Sequence, residues 1–136
     1  MKSVLTRSFS TQSKPRFLIA GSQGQLGIPL VNRLIKEFGN DSIVAADMKG
    51  ETKALDCKQY TLNVTDFDTY KSIVEKEKIT YIVHYAAILS SAGEKNPDLA
   101  RKVNFDGFFH ALDLAREYKC QIFAPSSIAA FGGDNF

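Results

Sequence analysis

A glycine-rich segment between an apolar run and an amphipathic stretch limits the folds open to this chain more than any other feature. Residues 16–20 form the apolar run, which is typical of a central strand covered on both faces. Residues 21–27 read Gly-Ser-Gln-Gly-Gln-Leu-Gly. Beyond them, large apolar side chains recur every four residues and predict a helix: Leu26, Leu30, Leu34 and Phe38. Gly39 ends that helix, and Pro29 fits only in its first turn.

The three glycines of this segment have separable tasks. One makes the tight turn after the strand, one lets main-chain amides approach a pyrophosphate, and Gly27 allows the helix to pack closely on the strand. The positive end of the helix then faces the phosphates. A plain glycine turn is the alternative interpretation. Asp47 argues against it, because this acid lies 20 residues after Gly27 at a predicted strand end, where a ribose needs a carboxylate.

The same carboxylate predicts which dinucleotide is bound. Asp47 can accept hydrogen bonds from both ribose hydroxyls but repels a 2′-phosphate, so the sequence favours NAD over NADP. Two other nucleotide and hydrolase patterns are absent from the sequence, namely Gly-Lys-Ser/Thr of a phosphate loop and Gly-x-Ser-x-Gly of a nucleophile elbow.

Short apolar runs alternate with amphipathic stretches along the rest of the chain. This order predicts an α/β fold, a doubly wound parallel sheet (Rossmann fold) of about five strands with helices on both faces. Further strands are expected at residues 42–46, 60–63, 79–84 and 121–124. Thr65 and Asp68 form a predicted capping pair for a helix through Glu77. A loop over residues 90–96 and a long helix from Asn96-Pro97 to Tyr118 complete the prediction.

Charge is distributed unevenly between the first residues and the remainder. Residues 1–14 hold three basic residues, six Ser or Thr residues and no acid, a composition typical of a mitochondrial targeting leader; an untargeted flexible tail is the alternative. Residues 15–136 carry 14 basic and 15 acidic side chains, so a nucleic-acid partner is not expected. Nor does any apolar run reach the length of a membrane span, so no membrane partner is expected.

The cysteines and histidines do not predict a metal site. Cys57 and Cys120 stand far apart, and we expect both to be buried thiols rather than a disulfide. His84 and His110 lack the spacing of metal ligands and are expected to be structural.

Three motifs after the predicted strands carry a family resemblance: His84-Tyr85-Ala86-Ala87, Asn104, and the segment from Pro125 to Gly132. Together with the glycine turn they resemble the extended short-chain dehydrogenase/reductases, and within these the mitochondrial L-threonine 3-dehydrogenases, over residues 16–133. The resemblance implies oxidation of L-threonine to 2-amino-3-oxobutanoate with NAD. It also implies a homodimer joined through long helices, while the location in the mitochondrial matrix is predicted from residues 1–14.

The resemblance implies a role for individual positions. The pyrophosphate loop comprises Gly21, Gly24, Gln25, Leu26 and Gly27, and Asp47 is the ribose acid. Asn63 replaces the Asp that the family directs at the adenine amino group, and its amide oxygen is expected to keep a weaker contact. Ala86 and Ala87 line the nicotinamide side, and Asn104 supports the active site. The substrate is covered by Ser90 and Ser91, while Ser127 holds its oxygen beside a catalytic Tyr.

The catalytic Tyr and the Lys four residues after it have no counterparts in these 136 residues, since no Tyr follows Tyr118 and no Lys follows Lys119. We therefore expect residues 15–136 to form the NAD-binding half of the enzyme, without the substrate lobe and without activity alone. Two alternatives stay open: a noncatalytic NAD-binding fragment, and a nucleotide-sugar epimerase or dehydratase.

Overall fold

The computed structural model describes residues 14–126 and contains one parallel sheet. Its strands are β1 (Phe17–Ala20), β2 (Ile43–Asp47), β3 (Lys58–Thr61), β4 (Tyr81–His84) and β5 (Gln121–Phe123). The spatial order is β3-β2-β1-β4-β5, and every neighbouring pair is parallel. This arrangement confirms the predicted doubly wound sheet.

Helices connect the strands and lie on both faces of the sheet. They are α1 (Gly27–Phe38), α2 (Phe67–Lys76), α3 (Ser90–Lys95), α4 (Pro97–Arg101) and α5 (Gly107–Tyr118). A 3₁₀ turn, Asn40–Ser42, precedes β2, and a π-helical turn, Lys102–Asp106, joins α4 to α5. Within the part of the chain that the structure describes, none of the helices has the length and apolarity to cross a bilayer.

Two hydrophobic clusters hold these layers together. On one face, Val31 of α1 packs among Ile19, Ile43 and Val83 of the strands. On the other face the fully buried side chains come from the strands, α2 and α5, and include Leu18, Val44, Tyr70 and Leu114. Because β1 and β2 are covered on both sides, their sequences are continuously apolar rather than alternating.

Several local predictions differ from the structure. The cap of α2 is Asp66, whose side chain accepts a hydrogen bond from the Thr69 amide, so the prediction of Thr65 as the cap was wrong. Residues 90–95 form α3 where a loop was predicted, and the long helix is interrupted by the π-helical turn. Asn96 does cap α4, and Pro29 is the third residue of α1, as predicted.

The two cysteines are free thiols that are half-buried, not buried as predicted. Burial raises the pKa of Cys57 to about 11, and that of Cys120 is also raised by burial. Both thiols are therefore protonated at neutral pH.

Parallel strands bring all their carboxyl ends to one edge of the sheet, here called the carboxyl edge, and their amino ends to the opposite amino edge. Ala20, Asp47, Thr61 and His84 end their strands at the carboxyl edge. Open parallel sheets bind ligands at this edge, where neighbouring connections leave the sheet in opposite directions. In this sheet that point lies between β1 and β4.

Candidate functional site

The glycine turn leaves β1 at the carboxyl edge and is anchored on its neighbours. The Gly21 amide donates to the Ala46 carbonyl at 2.8 Å, and the Ser22 amide donates to the same oxygen at 3.2 Å. Gly21 has φ +86°, and a Cβ there would lie 2.7 Å from the Ala86 amide nitrogen. Only glycine satisfies both the backbone angle and this close approach. The turn is thus pressed against the segment that follows β4.

Gly27 and Gly24 differ in what the fold requires of them. A Cβ on Gly27 would lie 2.4 Å from the Gly21 carbonyl oxygen and 2.5 Å from that of Ser22, so α1 can start here only with glycine. A Cβ on Gly24 would come no closer than 3.4 Å to the Gly21 oxygen, an ordinary contact. The fold therefore needs Gly27, whereas the backbone at Gly24 is open to an approaching ligand.

The two residues just before α1 have main-chain amides that are free to bind an anion. No side chain caps this helix and its first turn contains no acid. The Gly24 amide donates to Gly21, and the amides of Gly27 and Ile28 donate to Gly24. For the exposed residues Gln25 and Leu26, no partner of the amide is found within residues 14–126. Unpaired amides at the positive end of a helix fit phosphate oxygens.

Asp47 stands beside this turn at the end of β2. Its Oδ2 accepts a hydrogen bond from the Gln23 amide at 2.9 Å, and its Oδ1 accepts from the Lys49 amide at 3.1 Å. Each carboxylate oxygen keeps a further acceptor position, so hydroxyl donors can still bind. The Gln23 side chain also donates to the Gly50 carbonyl, which ties the loop after β2 to the glycine turn. No sequence pattern indicated this role of Gln23, because the contact joins two separate loops.

The segment after β4 is fixed by a side chain from the helical region. Asn104 accepts a hydrogen bond from the Ile88 amide at 2.7 Å and donates one to the Ile88 carbonyl at 2.9 Å. Asn104 lies in the π-helical turn, a feature often found at functional sites. Ala86 is half-buried and Ala87 is exposed, and Ser90 and Ser91 begin α3 directly afterwards.

Asn63 follows β3 by two residues and is exposed. Its Oδ1 accepts hydrogen bonds from the Thr65 amide at 3.1 Å and from the Thr65 hydroxyl at 2.9 Å. The amide oxygen that the sequence analysis assigned to a ligand is therefore already occupied. Ser127, the one predicted catalytic residue, lies outside the described residues.

His84 ends β4 and is 5% exposed. Its Nδ1 lies 3.3 Å from the Tyr70 hydroxyl, and no partner of its Nε2 is found in the described part of the chain. Burial lowers the pKa of His84 to about 4, so the ring is neutral at neutral pH. Within residues 14–126, no three His, Cys, Asp or Glu side chains converge as metal ligands.

Comparisons with known proteins agree on one family. The model of the family described as "NAD dependent epimerase/dehydratase family" matches residues 17–136. The human protein named inactive L-threonine 3-dehydrogenase, mitochondrial, is 42% identical over 92% of this chain. The L-threonine 3-dehydrogenase, mitochondrial, of Sus scrofa is 39% identical over the same share.

Solved structures give the same neighbours. A monomeric L-threonine 3-dehydrogenase from a metagenome is 44% identical over 87% of this chain, with a TM-score of 0.82. The L-threonine dehydrogenase of Clostridium difficile is 32% identical over 89% of the chain, also with a TM-score of 0.82. This chain spans 55% of the human relative, 34% of the Sus scrofa relative and under two fifths of these two solved chains.

Proposed function

Because the chain belongs to the NAD-dependent epimerase/dehydratase family, we propose that residues 15–136 are the dinucleotide-binding half of an enzyme that oxidises L-threonine to 2-amino-3-oxobutanoate with NAD. One observation carries this proposal: the Gln23 amide joins Asp47 to the glycine turn, which sets a sugar-binding carboxylate beside unpaired helix-start amides. Support for the substrate comes from the relatives, which are named L-threonine 3-dehydrogenases.

The glycine turn binds the pyrophosphate in this proposal. The amides of Gln25 and Leu26 donate to the phosphate oxygens, and Gly24 allows the close approach. The dipole of α1 adds only about 0.3 to 1 kcal/mol, so several amides must act together. The open backbone at Gly24 and the uncapped start of α1 fit such a group.

The remaining residues orient the nicotinamide and the substrate. NAD, when bound, supplies the acceptor of the hydride that leaves the substrate carbon. Ala86 and Ala87 leave room for the ring, and Asn104 fixes the main chain next to them through Ile88. We assign Ser90 and Ser91 to the cover of the substrate and Ser127 to its oxygen.

Asp47 provides the test of the cofactor assignment. The 136-residue chain should bind NAD at least tenfold more tightly than NADP in calorimetry, because a carboxylate repels a 2′-phosphate. Asp47→Ala should weaken NAD binding by about tenfold, equivalent to about 1.4 kcal/mol, and should narrow the preference over NADP. Equal binding of both dinucleotides by the unmodified chain would contradict the assignment.

The substrate is tested with the complete reading frame that contains these residues. Incubated with NAD and L-threonine, the complete protein should form NADH, measured by absorbance, and UDP-glucose should give none. The 136-residue chain alone should bind NAD without forming NADH. NAD binding by the complete protein with no turnover of L-threonine would instead favour a noncatalytic role, which the name of the human relative, inactive, makes the second candidate.

We also propose that residues 1–14 direct the protein to the mitochondrial matrix. The human and Sus scrofa relatives are named mitochondrial, which supports this location. A fluorescent protein carrying residues 1–14 should enter mitochondria, and replacing Lys2, Arg7 and Lys14 by Gln should abolish its import. Import of both versions, or of neither, would contradict the proposal.

A homodimer is the proposed assembly of the complete protein. Leu99, Phe105 and Phe109 are each about half exposed along α4, the π-helical turn and α5, and would be covered by a second copy. Sedimentation of the complete protein should show a dimer that Phe109→Glu dissociates. The control Met48→Glu, at another exposed apolar position, should leave it intact. Dissociation by both substitutions, or by neither, would contradict this interface.

A further inference from the structure

Two glutamine side chains hold the connection between β2 and β3. Gln23, in the glycine turn, holds its first part, because its Nε2 donates to the Gly50 carbonyl. Gln59, in β3, holds its later part: its side chain accepts from the Thr52 amide at 2.9 Å and donates to the carbonyls of Thr52 at 2.9 Å and Leu55 at 3.0 Å. A carbonyl can only accept, so the atom of each Gln that faces one is the amide nitrogen. The two parts of this connection therefore have separate anchors.

The orientation of the Asp47 carboxylate depends on the first part of the connection. Its Oδ2 accepts from the Gln23 amide at 2.9 Å, and its Oδ1 accepts from the Lys49 amide at 3.1 Å. Lys49 directly precedes Gly50, so the side chain of Gln23 also keeps the Lys49 amide in place. The other hydrogen bond found for Gly50 in the described chain is long, 3.4 Å from its amide to the Asp47 carbonyl. Gln23 thus orients both carboxylate oxygens, Oδ2 directly and Oδ1 through Gly50.

We propose that the side chain of Gln23 is a positioning residue, which fixes the Asp47 carboxylate for the hydroxyl groups of the adenosine sugar. This inference rests on the proposed function, in which Asp47 accepts hydrogen bonds from those hydroxyls. A carboxylate that is already fixed loses less conformational freedom when the sugar binds, and the affinity rises accordingly. The side chain acts on the sugar through Asp47 and needs no contact with the dinucleotide.

Three substitutions separate this role from a general effect on the connection. Gln23→Met keeps the length of the side chain and the main-chain amide but removes the donor to Gly50. Gln23→Ala removes the same donor by shortening the side chain. Gln59→Met is the matched control, because Gln59 is also half-buried and holds the same connection away from Asp47.

The experiment compares NAD with an analogue whose adenosine sugar lacks both hydroxyl groups, by calorimetry on the full 136-residue chain. The two ligands share every other group, so the ratio of their dissociation constants reports the sugar hydroxyls alone. The unmodified chain should bind NAD about tenfold more tightly than the analogue. Gln23→Met and Gln23→Ala should each lower this ratio about fivefold, mainly by weakening NAD binding. Gln59→Met should lower the midpoint of urea unfolding and leave the ratio unchanged.

A second comparison tests whether Gln23 acts through Asp47. In Asp47→Ala the ratio should be about one, and the addition of Gln23→Met should not change it, since the group that Gln23 orients is gone. A further fall of the ratio in the double variant would contradict the inference. It would also be overturned if Gln23→Met weakened both ligands equally, or if Gln59→Met lowered the ratio as far as Gln23→Met does.

The outcomes also separate this inference from the proposed function. If the unmodified chain prefers NAD about tenfold and both Gln23 variants keep that preference, the inference fails while the proposed function stands. If the unmodified chain binds both ligands equally, Asp47 does not bind the sugar, and that part of the proposed function fails together with the inference. If neither ligand binds, the proposed function fails as a whole.

Discussion

Two buried titratable side chains, one near each edge of the sheet, show opposite uses of charge. Glu77 at the amino edge is 4% exposed and is surrounded by donors: Arg16 at 2.6 Å, Lys58 at 2.7 Å and the Tyr60 hydroxyl at 2.5 Å. His84 at the carboxyl edge is 5% exposed, and the only partner found in the described chain is the Tyr70 hydroxyl at 3.3 Å. One group is buried with its charge compensated, and the other is buried without compensation.

The pKa of each group is lowered, but the consequences are opposite. Burial alone would raise the pKa of Glu77, and the hydrogen bonds from Lys58 and Tyr60, with the charges of Lys58 and Arg16, outweigh it. Glu77 thus stays ionised. Burial lowers the pKa of His84, so that ring stays neutral. At the amino edge the charges of Glu77, Arg16 and Lys58 are paired with one another. At the carboxyl edge the buried ring of His84 is neutral, and Asp47 and the amides of the glycine turn remain accessible.

Removal of the compensated charge should have the largest effect on stability. Glu77→Ala should lower the free energy of unfolding by about 3 kcal/mol, because Arg16 and Lys58 lose their buried partner. Urea unfolding at pH 7 measures this loss. In the control Glu37→Ala, the lost pair with Arg33 is 3.5 Å long and exposed, and the expected cost is below about 0.5 kcal/mol. Equal losses in the two variants would show that burial of Glu77 adds nothing.

The contribution of Glu77 should also depend on pH. Its folded pKa lies below the ordinary value of 4.5, so its stabilisation is complete above about pH 4.5 and is lost as the pH falls through the folded pKa. The difference between the unmodified chain and Glu77→Ala should therefore shrink in acid.

Acid should destabilise the folded chain through His84 at a higher pH. The pKa of His84 is about 6.5 in the unfolded chain and about 4 in the folded chain, so the unfolded chain binds a proton at a higher pH. The free energy of unfolding should therefore fall by about 2 kcal/mol between pH 6.5 and pH 5, where carboxylates titrate little. His84→Asn keeps a hydrogen-bond partner for the Tyr70 hydroxyl but has no titratable ring. Its free energy of unfolding, measured with urea, should therefore change little with pH over this range. A similar slope in both proteins would refute the assignment to His84.

Substitutions at Gly27 and Gly24 should distinguish a loss of stability from a loss of ligand binding. Gly27→Ala should cost about 2 kcal/mol of stability, because its Cβ overlaps two main-chain oxygens. Gly24→Ala should change stability by less than about 1 kcal/mol, since its Cβ meets only an ordinary contact, and should instead weaken NAD binding. Urea unfolding and calorimetry on both variants test this. A Gly24→Ala chain with undiminished affinity for NAD would show that the pyrophosphate does not approach there.

A smaller effect than those of Glu77, His84 and Gly27 is expected at Asn104, which holds the segment after β4 in place. Asn104→Ala should lower the free energy of unfolding by about 1 to 2 kcal/mol, because both main-chain groups of Ile88 lose a hydrogen-bond partner. Hydrogen exchange at the Ile88 amide should accelerate. In Asn104→Asp the acceptor for that amide survives, so exchange should stay slow although the bond to the Ile88 carbonyl is lost. Rapid exchange in both variants would mean that Asn104 does not protect this segment.

Short-range sequence patterns predicted the secondary structure well where the spacing of apolar residues is regular. The apolar run of β1 and the four-residue spacing in α1 gave both elements within one or two residues. At the start of α2, Thr65 and Asp66 both carry a suitable oxygen, and only the backbone angles of Asp66 decide that it caps the helix. The contact between Asn104 and Ile88 had no sequence signal, because the two residues meet only in the folded chain.

The β1-turn-α1 unit and the acid after β2 follow from local sequence, because glycine sterics and apolar periodicity act over a few residues. Which polar groups are paired, and which remain available, depends on how the chain folds. Glu77 takes its partner Arg16 from 61 residues away, and Asp47 takes the Gln23 amide across two loops. Such pairings have no local signature, since the distance between two groups far apart in sequence is set only when the sheet assembles.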